Sequence, residues 1–131
     1  MKILLSIKPE FVKEIFTGNK KFEYRKNIFK NANVKTVIIY ATMPIGQIVG
    51  EFSIEKILED VPSKLWEDTS SKSGISKTFF DTYFKGREKA YALQIGELIE
   101  YENPINPYEL NKNFMPPVYF TLFITSPNFI F

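Results

Sequence analysis

The segment from Gly18 to Arg25 carries charged residues at a spacing that suits anion binding. Lys21, Glu23 and Arg25 alternate with aromatic residues, and residues two apart in a strand point to the same face. Glu23 can therefore hold Lys21 or Arg25 in place on an exposed outer face. The planar guanidinium of arginine suits a phosphate or a carboxylate, and lysine adds a point charge. The alternative interpretation is a ladder of surface ion pairs, which contributes well under about 1 kcal/mol to stability.

Lys20 and Lys21 stand at the start of this segment, and either could be the lysine of a ligand cleft. Strict alternation would turn Lys20 toward the core with Phe22 and Tyr24, and Lys21 would then be the cleft lysine. Lys20 escapes this alternation if it still belongs to the turn that follows Gly18.

Other polar residues could contribute to the same cleft. Tyr40 and Thr42 come where a buried strand ends, so the tyrosine could stack on a base and the threonine could hydrogen-bond it. The alternative is a core tyrosine followed by an ordinary turn. The aromatic run that ends at Phe84 is expected to be core rather than a stacking platform. The remaining candidates are Ser6 and Lys8 at the end of the first strand, and Lys85 and Arg87 around a glycine turn.

The absence of histidine and cysteine removes several classes of chemistry. Disulfides, thiolate nucleophiles, zinc clusters and histidine general bases are all excluded. Any catalysis must use lysine, carboxylate, tyrosine, threonine or serine side chains. No carboxylates cluster at a spacing useful for Mg²⁺, so we predict no metal site and no cofactor.

The net charge of +2 hides an uneven distribution along the chain. Residues 1–36 contain nine Lys or Arg against three Glu, a balance of +6, and the remainder has a balance of −4. A basic N-terminal third can steer an anionic ligand to one face, although a solvated lysine-rich surface would have the same composition. No apolar run approaches the roughly 20 residues of a membrane span, and no signal-peptide pattern is present. We therefore expect a cytoplasmic protein without membrane contact.

Hydrophobic periodicity and turn residues predict the elements that position these side chains. A length of 131 residues favours one domain. Because several strands follow one another after short loops, a doubly wound parallel sheet is disfavoured. The pattern favours an α+β fold, a small, mostly antiparallel β-barrel with two or three flanking helices. The predicted strands are 1–8, 20–26, 34–40, 47–57 and 90–95. We expect a bulge or bend at Gly50, and Tyr91, Leu93 and Ile95 pointing inward. The predicted helices are 9–17, 62–68 and one capped by Ser76, and 103–117 is a predicted surface connection.

The last fourteen residues, 118–131, contain no charged side chain and many large apolar ones. That much apolar surface is more than a monomer usually exposes. The extension at 111–131 is therefore expected to pack on its own domain, with 119–124 folding back as a strand, or on a second copy in a homodimer.

Five sequence elements together resemble the ASCH domain family over about residues 1–110. The resemblance implies a PUA-like β-barrel whose helix-flanked cleft is lined by Lys20, Glu23 and Arg25. It also implies RNA binding, and relatives in the wider group are hydrolases of acylated nucleosides or of RNA. Those hydrolases place a glutamate just before the third helix, where this chain has 70–74 without a carboxylate. The five elements are Ser6 to Pro9, the pattern Gly18-x-Lys20-x-x-Glu23-x-Arg25, Tyr40 to Pro44 followed by Gly50, Gly74 to Ser76, and Tyr83 to Arg87 running into Ala90 to Ala92.

Three functions are consistent with these residues. The leading prediction is an RNA- or nucleotide-binding domain with a basic cleft, regulatory in transcription or translation. The alternative is a metal-independent hydrolase, an amidase or a ribonuclease, that uses Lys20 and Glu23 in that cleft. The third is an adaptor whose apolar tail binds a protein.

Overall fold

A computed structural model of the protein describes residues 1–118 and the backbone of residues 121–123. These residues form six strands, four α-helices and one short 3-10 helix, Ser70–Lys72. In chain order the elements are β1 Lys2–Ile7, α1 Pro9–Phe16, β2 Phe22–Arg25, β3 Thr36–Ala41, β4 Gln47–Asp60, α2 Pro62–Thr69, α3 Lys77–Tyr83, β5 Ala90–Ile105, α4 Pro107–Leu110 and β6 Thr121–Phe123.

The strands form one mixed sheet in the order β2-β5-β4-β3-β1-β6. β1 and β3 run parallel, and every other neighbouring pair is antiparallel. The predicted α+β class and mostly antiparallel pairing are thus confirmed. The sheet is not closed within the described residues, because β2 and β6 each have a single strand neighbour, so the barrel part of the prediction is not confirmed.

β4 and β5 are long, irregular strands that bend across the molecule. They contain 14 and 16 residues, and their pairing shifts register between Ile48 and Gly50, as the predicted bulge requires. A Cβ on Gly50 would lie 2.5 Å from the Ile99 carbonyl oxygen and 2.9 Å from the Phe16 ring. Only glycine therefore allows α1 and β5 to approach the strand here.

Local signals account for the helix ends. α1 starts at Pro9, whose missing N–H costs nothing in a first turn, and the chain leaves it through Gly18 at φ +84°. α3 begins after Ser76, whose Oγ accepts a hydrogen bond from the Phe79 N–H at 3.0 Å, as predicted.

The predicted surface connection at 103–117 was wrong in its first half. β5 continues to Ile105, and α4 follows. Asn106 caps α4 by accepting from the Tyr108 N–H at 3.0 Å, and Pro107 occupies its first turn. Proline and asparagine are typical of loops, but here Asn106 and Pro107 form the N-terminal cap and first turn of a helix.

The core consists of three clusters of buried side chains. The first joins α1 to the sheet around Ile15 and Phe52, the second surrounds Tyr40, and the third joins α2 and α3 to the sheet. β5 contributes to all three: Leu93 belongs to the first cluster and Ala92 to the third, and Tyr101 packs against the second. Leu93 and Ile95 are buried as predicted, whereas Tyr91 is only half-buried, and Ala92 on the other face is buried as well because β5 is covered on both faces here.

The C-terminal extension supplies the edge strand β6. It pairs antiparallel with β1, with Lys2 opposite Phe123. The rest of the apolar tail beyond Val118, and with it the predicted homodimer contact, lies outside the described residues. Across the described ranges, no helix combines the length and the apolar character that crossing a bilayer requires.

Candidate functional site

Lys20 lies between α1 and β2, and only 1% of its surface is exposed. Its Nζ donates a hydrogen bond to the Ser73 carbonyl oxygen at 2.8 Å. Gly74, at φ +66°, packs directly on the aliphatic part of Lys20, where any Cβ would collide with it. The segment before α3 therefore clamps this lysine in place.

Lys20 turns inward because it precedes β2, and strand alternation does not apply to it. β2 begins at Phe22, so Lys20 belongs to the preceding connection. The backbone N–H of Lys21 bonds the Lys72 carbonyl oxygen at 2.8 Å, and its side chain is exposed to solvent. The structure thus buries Lys20 and leaves Lys21 outside the site.

Glu23 links Lys20 to Arg25. One carboxylate oxygen, Oε2, accepts from Arg25 Nη2 at 2.7 Å, and the other, Oε1, is 3.9 Å from Lys20 Nζ. Arg25 Nη2 also donates to the Ser6 carbonyl oxygen at 3.0 Å. The predicted exposed face was wrong, since the side chains of Glu23 and Arg25 are only 8% and 14% exposed. Helical residues pack on the Tyr24 face of β2, and Lys20 and the end of β1 contact the Glu23 and Arg25 face. Short-range alternation cannot reveal such a cover.

These charges border a cavity of about 220 Å³. Phe11 of α1 and Phe79 and Tyr83 of α3 form aromatic walls above them. Phe11 and Phe79 meet edge to face with ring centroids 5.1 Å apart, so α1 and α3 close one side of the cavity. The full lining is Ser6, Ile7, Lys8, Phe11, Lys20, Glu23, Tyr24, Arg25, Ile75, Phe79 and Tyr83.

Burial lowers the pKa of Lys20 from 10.5 to about 8, because the charged amine loses its water. Glu23 opposes this shift, and the positive charge of Arg25 adds to it. The ring centroids of Tyr24 and Phe11 lie 4.8 and 5.5 Å from Nζ and offset part of the lost solvation. About a tenth of Lys20 is therefore a neutral amine at pH 7, which can accept a proton.

The other polar groups at the floor of the cavity are held in fixed states. The Thr69 hydroxyl donates to the Leu65 carbonyl oxygen, so the Tyr24 hydroxyl must donate to Thr69 Oγ1, at 2.7 Å. Burial raises the pKa of Tyr24 to about 12, which keeps it neutral. Arg25 Nε is buried with no hydrogen-bond partner among the described residues. An unsatisfied buried donor costs about 1–3 kcal/mol, so this site is not arranged for stability alone.

Ser6 and Lys8, both predicted site residues, also line the cavity. Ser6 Oγ donates to the Pro117 carbonyl oxygen at 2.7 Å, which ties the C-terminal segment to the end of β1. Lys8 is exposed, with Nζ 5.2 Å from the centroid of the Phe79 ring. Lys8 thus places a solvated cation beside the aromatic wall.

Besides Lys21, four other predicted residues do not line the cavity. Tyr40 is fully buried and its hydroxyl is 3.2 Å from that of Tyr108, so the prediction that it stacks on a base was wrong and the core interpretation holds. Thr42 lies in the turn after β3, where its backbone N–H bonds the Ile7 carbonyl oxygen. Lys85 and Arg87 are exposed, and Arg87 lines a neighbouring groove together with Arg25 and Tyr83.

The aromatic walls were missed by the sequence reasoning. Phe80 and Phe84 are core residues, as expected for the run as a whole. Phe79 and Tyr83, one position earlier in each case, are half-buried and face the cavity. The signal was two adjacent aromatic pairs four residues apart, which is a wider stripe than one buried helix face needs.

Comparison with known proteins identifies the family. Residues 5–106 match the ASCH domain family. A Zymomonas mobilis protein named ASCH domain-containing ribonuclease is 32% identical over 120 residues, which cover 87% of this chain and 78% of that protein. Large ribosomal subunit protein uL22 of Ureaplasma parvum is 31% identical over 112 residues, but these cover only 36% of its length and 84% of this chain. The crystal structure of ASCH from Zymomonas mobilis matches with a TM-score of 0.84 and 30% identity, over 93% of this chain and 87% of that one. The chain belongs to the ASCH domain family.

Proposed function

We propose that this chain binds single-stranded RNA and holds one nucleotide in the cavity between α1 and α3. The observation that carries the proposal is an aromatic-walled cavity with Lys20, Glu23 and Arg25 at its floor. Unpaired bases are recognised by stacking on aromatic rings and by hydrogen bonds at their edges. The cavity supplies both kinds of group, and its volume suits a single base rather than a larger ligand.

The charge balance of the floor also favours RNA. Glu23 offsets one of the two buried cations, so the floor keeps a net positive charge, and Lys8 adds another at the rim. A phosphate or a base carbonyl oxygen would complement these donors. The relative from Zymomonas mobilis is named a ribonuclease, which supports the same class of ligand.

The test is the affinity for a short single-stranded RNA after loss of the stacking surface. Phe79→Leu and Tyr83→Leu should each weaken binding by about 5- to 150-fold, since stacking of one base contributes about 1–3 kcal/mol. Tyr101→Leu is the matched control, because Tyr101 packs on the Tyr40 cluster and is not part of the cavity lining. Unchanged affinity in both cavity variants, with thermal denaturation confirming that they fold, would refute the proposal.

A metal-independent ribonuclease is the second candidate, and the lowered pKa of Lys20 favours it. Neutral Lys20 would accept the proton of the ribose 2′-hydroxyl while the 2′-oxygen bonds to phosphorus. The bond from phosphorus to the 5′-oxygen breaks, and that oxygen takes a proton from water. Arg25 and Lys8 would stabilise the charge that develops on the phosphate oxygens.

Cleavage in excess EDTA distinguishes this candidate from binding alone. The products should carry 2′,3′-cyclic phosphate ends, and 2′-fluoro RNA should bind without being cut. The rate should rise with pH toward about 8, as Lys20 loses its proton, and Lys20→Met should abolish it. If RNA that carries 2′-hydroxyl groups is bound and stays intact, the ribonuclease candidate is refuted and the chain is a binding domain only.

An amidase of acylated nucleosides is the weaker alternative. The segment before α3 contains no carboxylate. Lys20 Nζ instead donates to the Ser73 main-chain carbonyl oxygen in that segment. A carbonyl oxygen can orient the amine but cannot exchange a proton at neutral pH.

A further inference from the structure

Two further spaces on the surface adjoin the cavity. Arg25 and Tyr83 line both the cavity and an adjoining space of about 280 Å³. Lys26 and Arg87 line that space and also the next one, of about 420 Å³. These shared residues place the three spaces side by side, and we refer to them together as the depression between the connection after β2 and the turn after α3.

Cations dominate this depression beyond the cavity. Lys26, Lys30 and Arg87 line it, and none of them forms an ion pair with an acidic side chain in the described part of the chain. Lys89 also lines it but is 3.7 Å from Glu59, and Glu88 is the acidic residue of the lining. We define the basic groove by Lys26, Lys30 and Arg87.

Tyr83 stands at the junction of cavity and basic groove. Its ring is nearly parallel to that of Phe79, at 12° with centroids 6.3 Å apart, and Lys26 Nζ lies 4.8 Å from its centroid. A base in the cavity would therefore have the first cation of the groove beside it. Proteins that follow a single strand combine stacking side chains with a positively charged groove in this way.

We infer that the basic groove carries the phosphate backbone of an RNA strand whose one nucleotide occupies the cavity, an inference that rests on the proposed function. The cavity selects an unpaired base, and the groove supplies contacts that do not depend on sequence. The three cations, which have no ion pair among the described residues, correspond to about three phosphates, so the site spans several nucleotides rather than one.

Salt-dependent binding of a fluorescent 2′-fluoro RNA hexamer tests the groove, because this RNA lacks the 2′-hydroxyl that cleavage would need. The variant with Lys26→Gln, Lys30→Gln and Arg87→Gln should lower the slope of log affinity against log salt by about 2. It should also weaken binding by about 10- to 100-fold in 0.1 M salt. A dinucleotide, which reaches little beyond the cavity, should bind the variant and the wild type nearly equally.

The matched control changes the same net charge elsewhere on the surface. Lys13, Lys64 and Lys112 are exposed and line neither the cavity nor the groove, so their replacement by glutamine should leave the slope unchanged. An equal loss in this control, or an equal loss for hexamer and dinucleotide, would show a general charge effect and overturn the inference. Wild-type affinity in the groove variant would overturn the groove alone and leave the cavity proposal standing. Failure of the wild type to bind either RNA would overturn both.

Discussion

The cavity floor and the Tyr40 cluster are two buried polar regions that differ in whether they border open space. At the floor, a lysine, a glutamate and an arginine border open space, and one arginine donor has no partner among the described residues. In the Tyr40 cluster, the tyrosine is fully buried, its hydroxyl is paired with that of Tyr108, and its ring packs 5.4 Å from Phe114. The open space beside the charges, which the Tyr40 cluster lacks, is what makes the cavity floor the candidate ligand site.

The largest effect is expected when the carboxylate that interacts with both buried cations is removed. Glu23→Gln leaves Lys20 and Arg25 buried without a counter-charge, and we expect the free energy of unfolding to fall by about 3–5 kcal/mol. RNA binding should also fall, although the floor becomes more positive, because Glu23 no longer holds Arg25 and Lys20 in their positions. Chemical denaturation measures the loss.

The matched control for Glu23→Gln is Asp81→Asn, which breaks the exposed pair with Lys77 at 2.7 Å. That pair is more than half exposed on both sides, and its loss should cost well under about 1 kcal/mol. Similar losses in the two variants would mean that burial of the floor has no energetic consequence.

The second test uses pH. The native pKa of Lys20 is about 8 and the ordinary value is 10.5, so between these pH values the unfolded chain binds more protons than the native one. The free energy of unfolding of the wild type should therefore rise, relative to Lys20→Met, by about 3 kcal/mol from pH 8 to pH 10.5. Subtracting the variant removes the opposite contribution of the buried tyrosines, whose raised pKa destabilises the native state above about pH 10. A difference that stays flat over this range would show that Lys20 is not desolvated.

The third test concerns Arg25. Arg25→Ala removes hydrogen bonds to Glu23 and to the Ser6 carbonyl oxygen, and we expect a loss of stability of about 1–3 kcal/mol together with weaker RNA binding. An exposed arginine would have changed stability by less than about 0.5 kcal/mol. Lys21→Ala is the control on the same segment, since Lys21 is exposed and outside the cavity, and it should leave stability nearly unchanged. Equal effects of the two variants would mean that Arg25 behaves as an exposed surface residue.

The smallest effect is expected in the Tyr40 cluster. Tyr40→Phe removes one hydroxyl pair and keeps the packing, so stability should fall by about 1 kcal/mol while RNA affinity stays unchanged. A clear loss of RNA affinity in a variant of unchanged fold would contradict the division between the two regions.

Local sequence signals were reliable where the physical cause is local. Pro9, Gly18 and Ser76 marked helix ends correctly, since a missing donor, a positive φ and a capping oxygen act within a few residues. The bulge at Gly50 followed for the same reason. Alternation sorted the side chains of β2 into two faces correctly, but it did not reveal that the Glu23 and Arg25 face is buried, because alternation marks an exposed face only when that face meets water.

By itself, the sequence determined the available chemistry and the order of the main elements from β1 to β5. With no histidine or cysteine, any proton transfer at the cavity must use residues such as Lys20 and Glu23. Only the tertiary structure decided that Lys20 rather than Lys21 turns inward, through the packing of Gly74 and the bond to the Ser73 carbonyl oxygen. It also decided the aromatic walls and the lowered pKa of Lys20. These properties depend on which distant segments exclude water from a side chain, and residues more than fifty positions apart meet there through the fold alone.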